Sequence, residues 1–386
     1  MDRLWLKNIQ VYRSETRSFA PGVILLQGER IESVDGGGAP LDARVVDGAG
    51  CYVIPGLIDC HTHLSLDCRL PNYLERMNES EESLRKIALD TLPLDLRSGV
   101  TAQRCMGDRF YIDVDCKEQI REKRLSGPKL FVSGIGMRAP EGSGYVGMPV
   151  AGAALEDTIR QNIARGVDWI KFYETATVCQ GAEPIGFYSR EEMARIIRTA
   201  HEAGKPVTSH CIGGRGLRES VALGIDCIEH AYYATPEELA VMEDAGTWLC
   251  VTAGEYFTDK ETASPQYLRQ MRATRPRVRE SMEAIMASGI PLVFGTDGLH
   301  GRLWEEARYA VDFGAAPARV LHGLTAGAAR LLGAEREIGH IAPGYQADLV
   351  LLRRNPLEDI TALRDVVQVY QNGRSILAPE ESVTAC

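Results

Sequence analysis

The chain of 386 residues lacks the features that mark membrane and exported proteins. No uninterrupted apolar run approaches the roughly 18 residues that a transmembrane helix needs. The first residues, MDRLWLKNIQVYRSET, contain no apolar core of the roughly 7–15 residues that a signal peptide carries. We therefore expect neither a membrane span nor a signal peptide, and we predict a cytoplasmic location.

Positive charge and paired cysteines are also scarce. The 43 Lys and Arg residues are outnumbered by 53 Asp and Glu, which gives a net charge of −10 and argues against a nucleic-acid partner. The ten cysteines include no Cys-x-x-Cys pair, so neither a disulfide framework nor a thiolate zinc site is indicated. The hydrophobic share of 45% and the charged share of 25% are ordinary for a folded globular protein without a membrane partner.

The sequence does show a change in the predicted secondary-structure pattern along the chain. Residues 1–54 read as short β-strands separated by turn residues, and the region after about residue 335 reads as β again, with a hairpin signal at Asn372-Gly373. Between them, helical stretches alternate with eight predicted strands: Tyr52–Ile58, Thr101–Met106, Leu130–Ser133, Trp169–Tyr173, Val207–Ser209, Cys227–Glu229, Trp248–Thr252 and Leu292–Phe294.

Eight such units predict a closed (β/α)8 barrel, which usually takes about 250 residues. A doubly wound open sheet is the alternative. No glycine-rich phosphate motif follows an early strand to support it.

Polar residues capable of metal binding follow these predicted strands. His61 and His63 form a His-x-His pair, whose imidazoles share one side of an extended segment and can reach one ion. The other strand-end residues are Lys171, His210, His230 and Asp297. Because all strands of a barrel open on one face at their carboxyl ends, these six side chains are predicted to converge there.

These residues and their surroundings resemble the amidohydrolase superfamily, within it the imidazolonepropionase and Xaa-Pro dipeptidase-like branch. The resemblance covers essentially the whole chain and is carried by Val53–His63, Ser98–Ala102, Glu229-His230, Gly295–Gly298 and Ile338–Leu352. It implies an α/β fold: a (β/α)8 TIM barrel over residues 55–335, with a small β-sandwich domain built from residues 1–54 and 336–386.

The resemblance also implies a site for two divalent metal ions, commonly Zn2+. His61, His63 and Asp297 would bind the more buried ion, and His210 and His230 the other. Lys171 would be carboxylated by CO2 and bridge both ions. A hydroxide between the ions would attack a carbonyl, and Asp297 would move the proton to the leaving nitrogen. The expected reaction is hydrolysis of a C–N bond in an amide, a peptide, an N-acyl amino acid or a cyclic amide.

The loops beyond the strands are expected to select a small-molecule substrate. Tyr232 follows His230 closely, and Tyr145 and Arg138 lie in a glycine-rich loop that lacks the Gly-Gly-His-Gly of close relatives. His300 follows Asp297 on its loop. All four are predicted substrate contacts. The segment Thr252–Arg275 is long enough to form a lid, and the family implies a homo-oligomer.

Three alternatives remain at this point. A deaminase of the same superfamily usually works with one metal ion and does not need Lys171. A lactonase or phosphotriesterase shares the binuclear ligand set. A non-enzymatic scaffold would be marked by lost ligands, and all six are present.

Overall fold

The computed structural model describes residues 3–142, 144–179 and 181–377. Strands from the start of the chain form the core of a mixed sheet. These strands are β1 (Arg3–Arg13), β2 (Ser18–Gln27), β3 (Arg30–Val34), β4 (Ala43–Asp47) and β5 (Tyr52–Pro55). β1 and β3 pair antiparallel with β2, whereas β4 and β5 pair parallel with β1. Leu6, Val11, Ile24 and Val53 are fully buried on this sheet.

The middle of the described chain contributes parallel strands only. They are β6 (Leu57–Thr62), β7 (Val100–Cys105), β8 (Lys129–Phe131), β9 (Met137–Arg138), β10 (Met148–Pro149), β11 (Ile170–Tyr173), β12 (Val207–Cys211), β13 (Cys227–His230), β14 (Trp248–Val251) and β15 (Leu292–Phe294). They pair in the orders β6-β7-β8 and β10-β9-β11-β12-β13-β14-β15. The N–H of Asp297, just past β15, donates to the carbonyl of His61 in β6 at 2.9 Å. The carboxyl ends of the first and last parallel strands are therefore adjacent.

The last three strands of the described chain are β16 (Leu349–Leu352), β17 (Val366–Gln371) and β18 (Arg374–Ser375), and they return to the first sheet. β16 pairs antiparallel with β5, so segments from both ends of the chain share one sheet. The sequence predicts a small β-sandwich here, and the strand pairing joins all eight of these strands into one hydrogen-bonded sheet. Asn372 and Gly373 both have positive φ, 50° and 71°, as a two-residue hairpin turn requires.

The strand predicted over residues 52–58 is two strands with different partners. β5 pairs with β1 and β16, whereas β6 pairs with β7. The break is Gly56, where a Cβ atom would collide with Thr101. The N–H of Gly56 donates to the carbonyl of Asp348 at 2.8 Å, and the chain passes from the mixed sheet to the parallel strands at this residue.

Helices follow most of the parallel strands and cover them. They are α1 (Glu81–Arg97), α2 (Ile112–Arg121), α3 (Ala154–Ala164), α4 (Arg190–Glu202), α5 (Gly214–Ala222), α6 (Pro236–Ala245), α7 (Gly254–Phe257), α8 (Pro265–Ala287), α9 (Leu303–Asp312), α10 (Pro317–Gly323) and α11 (Ala326–Leu331). α4 and α6 begin at capping boxes, with Ser189 and Thr235 as the N-caps. Among the described helices, none is long and apolar enough to cross a bilayer.

Candidate active site

Six polar side chains meet at the carboxyl ends of the parallel strands. His61 lies near the end of β6 and His63 just after it, Lys171 lies in β11, His210 in β12, His230 at the end of β13, and Asp297 beyond β15. The ring centroid of His61 lies 5.5 Å from that of His63 and 4.8 Å from that of His230. The ring of His230 in turn lies 4.4 Å from that of His210. The structure thus brings the four imidazoles together.

Asp297 adds a carboxylate to this cluster. Its Oδ1 lies 3.5 Å from His61 Nε2 and 3.7 Å from His63 Nε2. One ligand atom from each of the three residues lies within 4.8 Å of the other two. Nitrogen and oxygen ligands bind zinc at about 2.0–2.2 Å, so atoms at this mutual spacing can surround one ion.

The backbone is strained at two of these positions. Asp297 has a φ of 49° and His230 a φ of 83°, both in the left-handed region that residues other than glycine rarely adopt. Such conformations cost on the order of 1–3 kcal/mol each and concentrate at functional sites. The surrounding fold therefore holds both residues in backbone conformations that are locally unfavourable.

Hydrogen bonds behind the rings fix the tautomers. His61 Nδ1 donates to Glu229 Oε2 at 2.7 Å, and His63 Nδ1 donates to the carbonyl of Gly107 at 2.6 Å. His230 Nδ1 lies 2.7 Å from Thr252 Oγ1. Because Nδ1 carries the proton in His61 and His63, their Nε2 lone pairs face Asp297, which is how metal-binding histidines are usually oriented.

Burial keeps three of the imidazoles neutral. It lowers the pKa of His63 and of His210 to about 3, and it lowers the pKa of His230 well below its usual value. Burial opposes ionisation of Asp297, but the neighbouring His61, His63 and Lys171 outweigh it and lower the pKa of this carboxyl. Neutral imidazoles and an ionised carboxylate are the forms that bind a metal ion.

The surroundings of Lys171 bear on whether the cluster fits a pair of metal ions. Its side chain is completely buried, and its Nζ has no hydrogen-bond partner among the described residues. Burial lowers its pKa to about 8, although Glu229 and Asp297 act in the opposite direction. A buried, unpartnered ammonium is unfavourable, whereas the neutral amine can react with CO2 to give an anionic oxygen ligand. The residues present therefore fit the binding of divalent metal ions, and Lys171 could supply an anionic oxygen ligand to them.

A buried ion pair supports the cluster from behind. Arg104 Nη2 lies 2.7 Å from Glu229 Oε1, and both side chains are fully buried. Glu229 also accepts a hydrogen bond from the hydroxyl of Thr208, and Arg104 Nε donates to the carbonyl of Cys60 at 2.7 Å. Sequence reasoning missed Arg104, because a charged residue inside a predicted strand gives no sign of its partner.

A cavity of about 250 Å³ opens above the cluster. Its floor includes His61, His63, His210, His230 and Asp297, and its wall is largely aromatic and aliphatic. The predicted contacts Tyr145 and Tyr232 both line it. Tyr145 is about half exposed at the rim. Tyr232 is buried, and its hydroxyl donates to the carbonyl of Thr252 at 2.8 Å.

Two other predicted substrate contacts, Arg138 and His300, do not line the cavity among the described residues. Arg138 Nη1 donates to the carbonyls of Ala139, Pro140 and Gly142 at 3.2–3.3 Å, so it holds its own loop. Its Nε also donates to the carbonyl of Gly147 at 3.2 Å, so backbone carbonyls of this loop engage two of the three guanidinium nitrogens.

His300 lies behind the cluster instead of in the cavity. Its Nδ1 faces Asp95 Oδ2 at 2.7 Å, and its Nε2 donates to the carbonyls of His63 and Leu66 at 3.2 and 3.1 Å. The expected substrate contact is therefore replaced by a buried ion pair that supports the loop after β6.

The long segment Thr252–Arg275 forms one side of the cavity. It contains α7 and the start of α8, and it places Glu255, Tyr256 and Tyr267 at the wall. Tyr173 of β11 also lines the cavity and was missed by sequence reasoning. Its position two residues after Lys171 puts both side chains on the same face of a strand, and this alternation is the signal that could have found it.

Comparison with known proteins finds a family and relatives that match most of the sequence. The family model described as the Amidohydrolase family matches residues 52–376. An ochratoxinase from Aspergillus niger is 23% identical over 367 residues, which cover 85% of this chain and 76% of that protein. An imidazolonepropionase from Rhizorhabdus wittichii is 26% identical over 358 residues, covering 81% of this chain and 82% of that protein.

Solved structures share the fold over nearly the whole chain. A prolidase complexed with N-methylphosphonate-L-proline superposes with a TM-score of 0.84 at 24% identity, covering 97% of this chain and 99% of that one. A Xaa-Pro dipeptidase with bound methionine in its active site gives a TM-score of 0.83 at 22% identity, with the same coverage.

Proposed function

The chain belongs to the amidohydrolase family, and from this premise we propose that it is a metal-dependent enzyme that hydrolyses the C–N bond of an amide. We propose that the protein holds two divalent ions, with zinc as the first candidate. Their ligands would be His61, His63, Lys171, His210, His230 and Asp297. The hydrolases among the relatives, ochratoxinase and imidazolonepropionase, support this reaction class.

The observation that carries the proposal is the state of Lys171. A buried amine without a hydrogen-bond partner stands among neutral imidazoles and an ionised carboxylate. Structural lysines in a protein interior are paired, because an unpaired buried charge is strongly unfavourable. A carboxylated Lys171 that shares two ions with these histidines accounts for both the burial and the missing partner.

Each group in the site has a role in this reaction. Bound divalent ions would supply a water of lowered pKa and polarise the scissile carbonyl. Glu229 and the carbonyl of Gly107 hold His61 and His63 with Nε2 toward the centre. Asp297 reaches the cavity, so its carboxylate takes a proton from the attacking water and delivers it to the leaving nitrogen.

Several finer expectations from the sequence stay proposals. We propose that the parallel strands form a closed (β/α)8 barrel over residues 55–335 and that the shared sheet is a separate small domain. Tyr145 and Tyr232 are proposed to contact the substrate. We also propose a cytoplasmic homo-oligomer, which cell fractionation and light scattering of the purified protein would test.

The decisive experiment is a product analysis with zinc-loaded protein. Dipeptides, N-acyl amino acids, simple amides and cyclic ureas would be incubated and the products identified by mass spectrometry. We expect one new carboxyl and one new amine per turnover, and Asp297→Asn should lower kcat by about 10²–10⁴-fold. Asp157→Asn, at an exposed position, is the matched control. Release of ammonia without a new carboxyl would contradict the proposal in favour of a deaminase.

A further inference from the structure

The wall of the cavity is unusually rich in tyrosine. Six tyrosines line it: Tyr73, Tyr145, Tyr173, Tyr232, Tyr256 and Tyr267. Leucine, valine and methionine side chains fill most of the remaining wall. A surface of this composition binds aromatic or aliphatic groups by ring stacking and burial of apolar area.

Four of these tyrosines have hydroxyls that are engaged within the protein. Tyr232 donates to the carbonyl of Thr252 at 2.8 Å, Tyr256 to that of Thr177 at 3.1 Å, and Tyr267 to Glu255 Oε1 at 2.7 Å. The hydroxyl of Tyr73 accepts from Lys260 Nζ at 3.1 Å. These residues therefore offer a ligand their rings more than their hydroxyls.

The wall also lacks a cation that could receive a carboxylate. Among the described residues, neither arginine nor lysine lines the cavity. Lys260 lies buried behind the wall, where it pairs with Glu255 and faces the rings of Tyr73 and Tyr267. A substrate carboxylate at this wall would lose its hydration without gaining an ionic partner, which disfavours its binding.

Tyr173 is the exception among the buried tyrosines of this wall. Its side chain is nine-tenths or more buried, and its hydroxyl has no hydrogen-bond partner among the described residues. The ring packs against the backbone of Gly136, Gly144 and Gly147, where any added Cβ atom would lie within 3 Å of it. It stands beside the metal-ligand cluster, with its ring centroid 5.0 Å from Lys171 Nζ and 5.8 Å from the ring of His210.

Resting on the amide hydrolysis proposed above, we propose that the substrate is an uncharged amide that carries one aryl group, and that the Tyr173 hydroxyl donates a hydrogen bond to an oxygen of this substrate. The volume agrees with this class. A cavity of roughly 150 Å³ is enough to hold benzene, so about 250 Å³ takes one ring together with an amide group.

The first test compares three acetyl amides that differ at one feature each. N-acetylphenethylamine is neutral and aromatic, N-acetylphenylalanine adds a carboxylate, and N-acetyl-2-cyclohexylethylamine replaces the aryl ring. We expect kcat/KM for the neutral aryl amide to exceed that for the carboxylate by at least about 10-fold and that for the cyclohexyl amide by several-fold. Binding of each compound, measured by calorimetry, should follow the same order.

The outcomes separate this inference from the proposed function. Cleavage of all three with the carboxylate preferred would overturn the inference and leave amide hydrolysis standing. Binding of the neutral aryl amide without cleavage of any compound would count against the proposed function and support the cavity assignment. Absence of binding by the neutral aryl amide would overturn the inference.

The second test removes one hydroxyl. Tyr173→Phe should lower kcat/KM for N-acetylphenethylamine by about 10-fold, with the metal content unchanged and Tm not lowered, because no protein hydrogen bond is lost. Tyr52→Phe, in the distant mixed sheet, is the matched control. A Tyr173→Phe protein with unaltered kcat/KM, or one whose loss of activity is explained by lost metal or lower Tm, would overturn the role of this hydroxyl.

Discussion

His61 Nδ1 and Glu229 Oε2 lie 2.7 Å apart, and this hydrogen bond ties the first residue of the His-x-His pair to the buried Glu229–Arg104 ion pair. Glu229 is the residue before His230 in β13, so one short strand supplies both a candidate ligand and the group that orients another. The oriented ring and the ion pair therefore depend on each other.

Glu229→Gln is expected to weaken both metal binding and stability. Loss of an outer partner of a ligating histidine typically costs about 10–100-fold in metal affinity. Arg104 would be left buried and unpaired, which destabilises a protein by about 3–5 kcal/mol. Zinc titration and urea unfolding would measure the two effects. Glu283→Gln on the exposed face of α8 is the control, and unchanged metal affinity in Glu229→Gln would contradict the orienting role.

Lys171→Ala is expected to abolish binding of the second metal ion. Without the lysine no carboxylated bridge can form, so the protein should hold at most one ion and lose at least about 100-fold in kcat. Metal analysis would show the stoichiometry, and ¹³C-bicarbonate with NMR would show the carbamate in the unaltered protein. Lys86→Ala, at an exposed position of α1, should keep two ions. A Lys171→Ala protein with two ions and full activity would contradict the assignment.

The buried His300–Asp95 pair predicts a pH dependence of stability. Burial by itself would lower the pKa of His300, but Asp95 raises it to about 9. Because this folded value lies above the unfolded value of about 6.5, the pair contributes fully below pH ~6.5, and its contribution falls as the pH rises to about 9. The loss across this range is roughly 3 kcal/mol of unfolding free energy.

Urea unfolding of the unaltered protein and of His300→Gln at several pH values would measure this effect. The difference between the two proteins should be large at pH 6 and small at pH 9.5. His201→Gln, at an exposed site on α4, should show little difference at either pH. A constant difference between pH 6 and 9.5 would show that the His300 proton is not the cause.

Arg138→Ala is expected to raise KM because its loop loosens, and not because a positive charge that binds the substrate is lost. Removing the guanidinium takes a donor from the carbonyls of Ala139, Pro140 and Gly142, and of these the carbonyl of Ala139 keeps the N–H of Gly142. The loop that carries Tyr145 should therefore loosen. KM should rise for neutral and carboxylate amides alike, by about 3–10-fold, the effect of one or two lost hydrogen bonds. Steady-state kinetics with both substrate types would check this. A loss confined to carboxylate substrates would restore Arg138 as an anion anchor.

Several elements were predictable from the sequence because their signals are local. The capping boxes at Ser189 and Thr235 are signals of this kind, since the residues that satisfy the first helical N–H groups lie within one turn. The hairpin at Asn372-Gly373 is confirmed for the same reason, because two residues that tolerate positive φ define the turn. The break at Gly56 was not predictable, since it depends on contact with Thr101 in β7.

By itself, the sequence determined the period of the strands and helices and the residue types at the strand ends, and these place His61, His63, Lys171, His210, His230 and Asp297 on one side of the parallel strands. Tertiary structure decided which groups face one another. It turned Arg138 into its own loop and His300 toward Asp95, paired Glu229 with Arg104, and left the hydroxyl of Tyr173 without a partner among the described residues. The reason is physical: a side chain's chemistry is local, whereas its burial and its partners come from strands and loops far away in the chain.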